Sequence, residues 1–182
     1  MRRVLRVATV PLSIIGYVWH HPANDGARGR AVLRAVAFQA KTRLRLGPVV
    51  ARVGNGMELE APLHATGASK AVYANPPDWN EMQAWRRILR SGDLFVDVGS
   101  NAGLYSVWAA DCGATPIAIE PDPTNAERTE RNLTRNGITP EMHVCAVAAE
   151  PGVMRFTSDK DTVNHLLHEG EAQPSREVRV ST

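Results

Sequence analysis

Leu94-Phe95-Val96-Asp97-Val98-Gly99-Ser100-Asn101-Ala102-Gly103 decides how this chain is read. A short apolar run bearing one acid meets a glycine turn and then a helical stretch, Gly103–Ala110. A ligand lying across such a turn meets backbone, so glycine is needed wherever a Cβ would collide. Gly99 permits a sharp turn off the strand, and Gly103 permits close approach where the helix starts. The helix N-terminus offers unpaired N–H groups to a carboxylate. The spacing then separates two kinds of cofactor. Dinucleotide sites read G-x-G-x-x-G, because a pyrophosphate sits on the helix N-terminus. Here the glycines are four apart, position 101 is Asn, and Asp97 lies two residues before the first glycine. That acid would repel a pyrophosphate and suits a cationic amino-acid tail.

Downstream, strands and helices alternate. Gly113 closes the first helix and Pro116–Ile119 reads as a second strand. Glu120 follows it, seventeen residues beyond Gly103, where an acid can accept both hydroxyls of a ribose. Asp122 with Pro123 starts a helix that runs to Asn136-Gly137. Met142–Val147 reads as a third strand, and Val153–Thr157 as a further one after the Pro151-Gly152 turn. Asp159–Glu171 reads as a polar loop with a short apolar centre, and Val178–Val180 as the start of another strand. This rhythm argues an α/β fold: a doubly wound, Rossmann-like parallel sheet with helices on both faces.

Upstream, Pro76-Pro77 is a stiff break. Asp78 then reads as a helix N-cap, with Glu81 completing a capping box. Met82, Trp85, Ile88 and Leu89 form an apolar stripe, with Arg86, Arg87 and Arg90 facing water and Gly92 stopping the helix. Residues 1–75 read as an extension of helices plus a hairpin, set before a core of residues 76–182. Its parts are a helix over 1–20 interrupted or begun near Pro11, a loop from His21 to Gly26, and a helix from Ala31 to Leu46. A hairpin follows, Val49–Val53 with Met57–Ala61, in which Asn55-Gly56 supplies the positive φ of a tight turn.

Charge is unevenly spread. Residues 1–57 carry ten Lys/Arg against Asp25 alone, a net +9, and residues 58–182 carry a net −7. A basic first third can face nucleic acid, an anionic membrane or the acidic body of its own chain. Its arginines interleave with apolar residues at helical spacing, which favours docking on the body, with no nucleic-acid partner and membrane contact the lesser alternative. Arg2, Arg3 and Arg6 before the apolar run Val7–Trp19 look like the start of a signal peptide. No small-x-small cleavage site follows before His20-His21-Pro22, and the run is too short to span a bilayer, so a docked helix and a cytoplasmic location are expected. Cys112 and Cys145 match no zinc or redox spacing, and no metal site is read.

Beyond these readings, the stretches GDLFVDVGSNAGLYS and AIEPDPTNAERTERNLTRNG resemble the FkbM family of S-adenosylmethionine-dependent methyltransferases. DTVNHL and the final VRVST resemble that family's loop and following strand, so the likeness covers roughly residues 75–182. The segment from HHPANDG to YANPPDW is similar to the N-terminal extension of some members. The resemblance implies methyl transfer from S-adenosylmethionine to a hydroxyl on a small-molecule acceptor, a sugar or a secondary metabolite. It implies Asp97, Gly99, Ser100, Asn101 and Gly103 as the cofactor loop and Glu120 as the ribose acid. The family continues into a Leu-Asp pair and a strand like Lys-Ile-Asp-Val-Glu-Gly that this sequence does not reach. A C-terminally incomplete sheet, in a fragment or shortened product, is therefore expected.

A sugar hydroxyl is barely ionised at neutral pH, so a base assists its methylation. His165 and Glu81 are the candidates, with Asp159 and Asp161 behind them. Each has a plainer role: Glu81 in the capping box, His165 packed or in water, and the two aspartates solvated. Two other functions compete, a non-catalytic product keeping half a cofactor site and an NAD-type oxidoreductase, the latter disfavoured by the glycine spacing.

Overall fold

Local chemistry sets most of the element boundaries. The structure, a computed structural model, describes residues 11–61, 66–157, 164–167, 171 and 173–182. Helix α1 (Leu12–His20) begins directly after Pro11. A single 3-10 turn, Pro22–Asn24, leads into α2 (Arg28–Arg43). This helix ends before Leu46. Arg45 takes a left-handed φ of 54°, its N–H bonds to the Thr42 carbonyl and the Leu46 N–H reaches back to Lys41, the paired bonds of a Schellman stop.

Strands β1 (Val49–Val53) and β2 (Met57–Ala61) form the expected antiparallel hairpin. The left-handed residue at its tip is Gly54 and not Asn55. Asn55 instead donates its N–H to Asp111 at 3.0 Å, and the Asn75 amide brackets Gly54 on both its N–H and its carbonyl. The outer edge of β2 is closed by side chains. Asn132 and Asn136 accept the N–H groups of Glu60 and Glu58, each at 2.8 Å. Asparagines one helical turn apart thus stand in for a neighbouring strand on an edge that would otherwise be open.

Helix α3 (Thr66–Tyr73) lies in a stretch the sequence reading left undivided. Arg34 of α2 donates to its terminal carbonyls, Val72 at 2.6 Å and Tyr73 at 3.2 Å, so a cation sits where the helix dipole is negative. Helix α4 (Trp79–Ile88) then precedes the parallel unit β3 (Leu94–Val98), α5 (Leu104–Asp111), β4 (Thr115–Ile119), α6 (Pro123–Arg135) and β5 (Glu141–His143). The sheet order is β3-β4-β5, all parallel. The α/β architecture with a parallel sheet is as read. Asp122 caps α6 by accepting the Thr124 N–H at 2.8 Å, and Pro123 occupies its first turn.

Several expectations are corrected. Helix α4 stops at Ile88, four residues before Gly92, because Leu89 is extended and Asp93 takes the Arg90 N–H. Asp78 makes no side-chain cap, so the Asp78–Glu81 capping box does not form. Arg86 does not face water: it lies 4.0 Å over the Trp108 ring and pairs with Asp111 at 2.5 Å. Met142–Val147 is not one strand. The chain bends at Val144-Cys145, and β6 (Ala146–Val147) joins β8 (Ser175–Ser181) and β7 (Gly152–Thr157) in a second sheet of order β6-β8-β7. The bend puts Ala146 in an apolar cluster with Phe156, Val178 and Val180.

The main core joins the N-terminal helices and hairpin to α4, α5 and α6. Val18, Phe38, Leu59, Met82, Val107, Trp108 and Leu133 belong to one cluster. Phe95 packs on α5 through Ala109, whereas Leu94, Val96 and Val98, on the other face of β3, are exposed among the described residues. No helix among the described residues is long and apolar enough to cross a membrane.

Candidate cofactor site

Parallel strands release their chains at one end of a sheet, and that is where ligands of open α/β sheets settle. Val98 of β3 pairs with Ile119 of β4, so Gly99 and Glu120 leave the sheet side by side. Gly99 and Ser100 both donate their N–H to the Ile119 carbonyl, at 2.8 and 3.1 Å. Three left-handed residues then shape the turn: Gly99 at φ 80°, Asn101 at 52° and Gly103 at 79°.

The turn is pinned from three sides. Glu120 accepts the Asn101 N–H at 2.8 Å. Thr129 donates its hydroxyl to the Asn101 carbonyl and Asn132 its amide to the Ala102 carbonyl, both at 2.8 Å. The two glycines do different work. A Cβ on Gly103 would lie 3.0 Å from Thr129 Cγ2 and 3.3 Å from its Cα, so this glycine admits α6. A Cβ on Gly99 would meet nothing within 4 Å, because Gly99 borders open space.

That space is a cavity of about 350 Å³, lined in part by Asp97, Gly99, Ser100, Asn101 and Glu120. The glycine turn and the two acids read from sequence therefore meet at one place, with Gly103 directly behind them. Other lining residues carry no short-range signal. Lys70 comes from α3, Asp78 from before α4, Tyr105 from α5, Asn125 from α6, and Phe156 and Asn164 from β7 and the chain beyond it.

Among the described residues, three carboxylates and one ammonium line this cavity. Asp97 accepts the Ser106 hydroxyl at 2.6 Å. Burial pushes its carboxyl above the usual range, and the bonds from Ser106 offset part of that. Glu120 is 4% exposed, and its Oε1 accepts the Asp122 N–H at 2.9 Å. Burial raises it too, against the lowering effect of its two backbone bonds. Asp78 is drawn away from its helix by partners in the cavity: the Tyr105 hydroxyl at 3.2 Å and the Lys70 ammonium at 3.5 Å. Burial first, and the Asp78 charge second, hold the Tyr105 phenol well above its ordinary range.

The base candidates lie elsewhere. Glu81 is exposed on α4 and is not among the lining residues. His165 pairs with Glu171 at 3.6 Å, and its backbone N–H bonds to the Thr157 hydroxyl. The neighbour of His165, Asn164, is the one that lines the cavity. Asp159 and Asp161 lie outside the described residues.

The donor set fits a cationic nucleoside with an amino-acid tail. Among the described residues Asn101 Oδ1 is buried without a hydrogen-bond partner, an unused acceptor at the turn. The carboxylate oxygens of Glu120 each retain a lone pair beyond the backbone bonds they accept.

No protein-family model matches the chain. Over 71 residues it is 37% identical to the 31-O-demethyl-FK506 methyltransferase FkbM of Streptomyces tacrolimicus, covering 38% of this chain and 27% of that protein. Over 54 residues it is 39% identical to a protein-L-isoaspartate O-methyltransferase of Methanospirillum hungatei, covering 30% and 25%. Over 59 residues it is 32% identical to a ribosomal protein L11 methyltransferase of Thermus thermophilus, covering 32% and 23%. The chain thus spans about a quarter of the length of each relative. The three names share methyl transfer and differ in the acceptor.

Proposed function

We propose that this chain binds S-adenosylmethionine and belongs to a methyltransferase acting on a hydroxyl of a small-molecule acceptor, a sugar or a secondary metabolite. One observation carries the reading. The Gly99–Gly103 turn borders a cavity whose charged lining, among the described residues, is Asp78, Asp97 and Glu120 against Lys70. Such a lining attracts a cation and repels the pyrophosphate of a dinucleotide. Partial likeness to three methyltransferases supports the same reading.

In this reading Glu120 takes the ribose hydroxyls, Asp97 the ammonium of the amino-acid tail, and the Asn101 amide a polar edge of the cofactor. The bound cofactor supplies a methyl group on a positively charged sulfur. The residues of the chain do the rest by placement. A fixed turn and buried acids would hold the cofactor in one pose, and an acceptor hydroxyl held in line with it would have the entropic part of the barrier lowered in advance. Phe156, Asn164, Lys70 and Tyr105 line further parts of the cavity, where an acceptor would meet the cofactor.

Titration calorimetry of the chain with S-adenosylhomocysteine and with NAD tests the binding half. Saturable binding of the first and none of the second is expected. Tighter binding of NAD would overturn the proposal. Incubation with methyl-labelled cofactor and hydroxylated small molecules tests the transfer half. Label appearing only on protein or nucleic acid would remove the acceptor class.

A further inference from the structure

The outward face of α2 is apolar where a solvated helix would be polar. Ala31, Ala35 and Phe38 are buried against the core. Gly29, Leu33, Val36 and Ala37 fall on the opposite side at 100° per residue, and all four are exposed. Leu33 is 69% exposed, and Leu44 and Leu46, just past the helix, are 56% and 61% exposed. Arg30 and Lys41 border this strip on one side.

Several of the basic residues here make no ion pair with the acidic body among the described residues. From Gly26 to Met57 the chain has seven Lys/Arg and no acid. Arg34 is turned onto helix carbonyls, and Arg28 pairs locally with Asp25. Among the described residues no ion pair joins Arg30, Lys41 or Arg45 to an acid. The helix docks on the body through its apolar side, with Ala31, Ala35 and Phe38 in the main core, and leaves Arg30 and Arg45 exposed.

We infer that the outward face of α2, with Leu44 and Leu46, is a docking surface for an anionic phospholipid membrane. Leucine and valine side chains enter the headgroup boundary while flanking Arg and Lys meet lipid phosphates. Charge decides against the other occupants. Two-fold pairing with a second copy would bring identical basic patches together. The first ten residues carry Arg2, Arg3 and Arg6, the same sign. Nucleic acid would match the charge, but it rewards phosphate contacts and stacking and not a strip of exposed aliphatic side chains. The inference is independent of what the cavity binds.

Co-sedimentation of the full 182-residue chain with phosphatidylcholine vesicles, with and without about 30% phosphatidylglycerol, tests it. Binding is expected to the anionic vesicles only, and to fall as salt rises. Arg30→Glu with Lys41→Glu should lower the partition at least about tenfold, at roughly 1 kcal/mol per basic residue. Leu33→Ser with Val36→Ser should lower it comparably, with an unchanged circular dichroism spectrum showing the fold intact. Both pairs are on the surface, so loss of fold in one leaves the other to decide. Equal binding to neutral vesicles, or none to either, would overturn the inference. So would a concentration-dependent dimer dispersed by the Leu33/Val36 pair, or duplex DNA bound through Arg30 and Lys41 in place of vesicles.

Discussion

Glu120 accepts the backbone N–H of Asn101 at 2.8 Å, so the acid at the end of β4 holds the turn at the end of β3 in its left-handed shape. The contact gives Glu120 a structural task beside the binding task proposed for it. Glu120→Ala strands the Asn101 and Asp122 N–H groups, and unfolding in urea should show a loss of about 1–3 kcal/mol. Calorimetry on the folded fraction should show S-adenosylhomocysteine affinity reduced about tenfold or more. Unchanged affinity in a folded variant would remove Glu120 from the ligand set.

Gly99 and Gly103 are expected to separate affinity from stability. Both hold a left-handed φ, which costs a residue with a Cβ about 1–2 kcal/mol. Gly103→Ala adds the close approach to Thr129, so its loss in chemical denaturation should exceed that of Gly99→Ala. Gly99→Ala projects its methyl into the cavity and should instead have the larger effect on ligand affinity. The reverse order would place the ligand against Gly103.

Asp97 and Glu120 both hold their protons above their ordinary values of 3.8 and 4.5, chiefly because burial disfavours the charged form. The sign follows from proton uptake: between ordinary and raised values the folded chain binds more protons than the unfolded one. Their contribution to stability is therefore greatest below the ordinary values and is lost as pH rises through the raised ones. Asp97→Asn removes one of the two, so the difference in urea midpoint between variant and parent should shift in the variant's favour as pH rises. A shift in the parent's favour would show that bonds to the charged form dominate.

Asp111 joins three elements: it pairs with Arg86 of α4, accepts the Asn55 N–H of the hairpin, and sits at the end of α5. Its side chain is only 6% exposed, so Asp111→Ala leaves the Arg86 charge and the Asn55 donor without their partner. A loss of about 2–4 kcal/mol in urea unfolding is expected. Hydrogen exchange should rise first in the hairpin. Loss spread evenly over the chain would show that Asp111 does not carry the docking.

Arg45 holds the left-handed position of a helix stop that usually falls to glycine. Arg45→Gly should raise the melting temperature by relieving about 1 kcal/mol of backbone strain. A lower melting temperature would mean that the Arg45 side chain stabilises the stop by more than its strain costs.

What the sequence determined by itself is the stretch from Leu94 to Gly137. Its signals act within a few residues: a glycine that must turn left-handed, Asp122-Pro123 opening a helix, Asn136-Gly137 closing one. The strand–helix rhythm then sets Gly99 and Glu120 at neighbouring strand ends without help from the rest of the chain. The tertiary structure decided everything whose partner lies far along the chain. Asp78 reads as a helix cap until Tyr105 and Lys70 draw it into the cavity. Arg86 reads as solvated until Trp108 and Asp111 cover it. Met142–Val147 reads as one strand because apolar residues do not show where β4 ends its claim and β8 begins. Asn132 and Asn136 look like ordinary polar helix residues, yet both close the edge of β2 and Asn132 also holds the Gly99–Gly103 turn. A side chain's short-range preferences are worth about as much as one hydrogen bond, so a distant partner that satisfies a buried charge or an open strand edge overrides them.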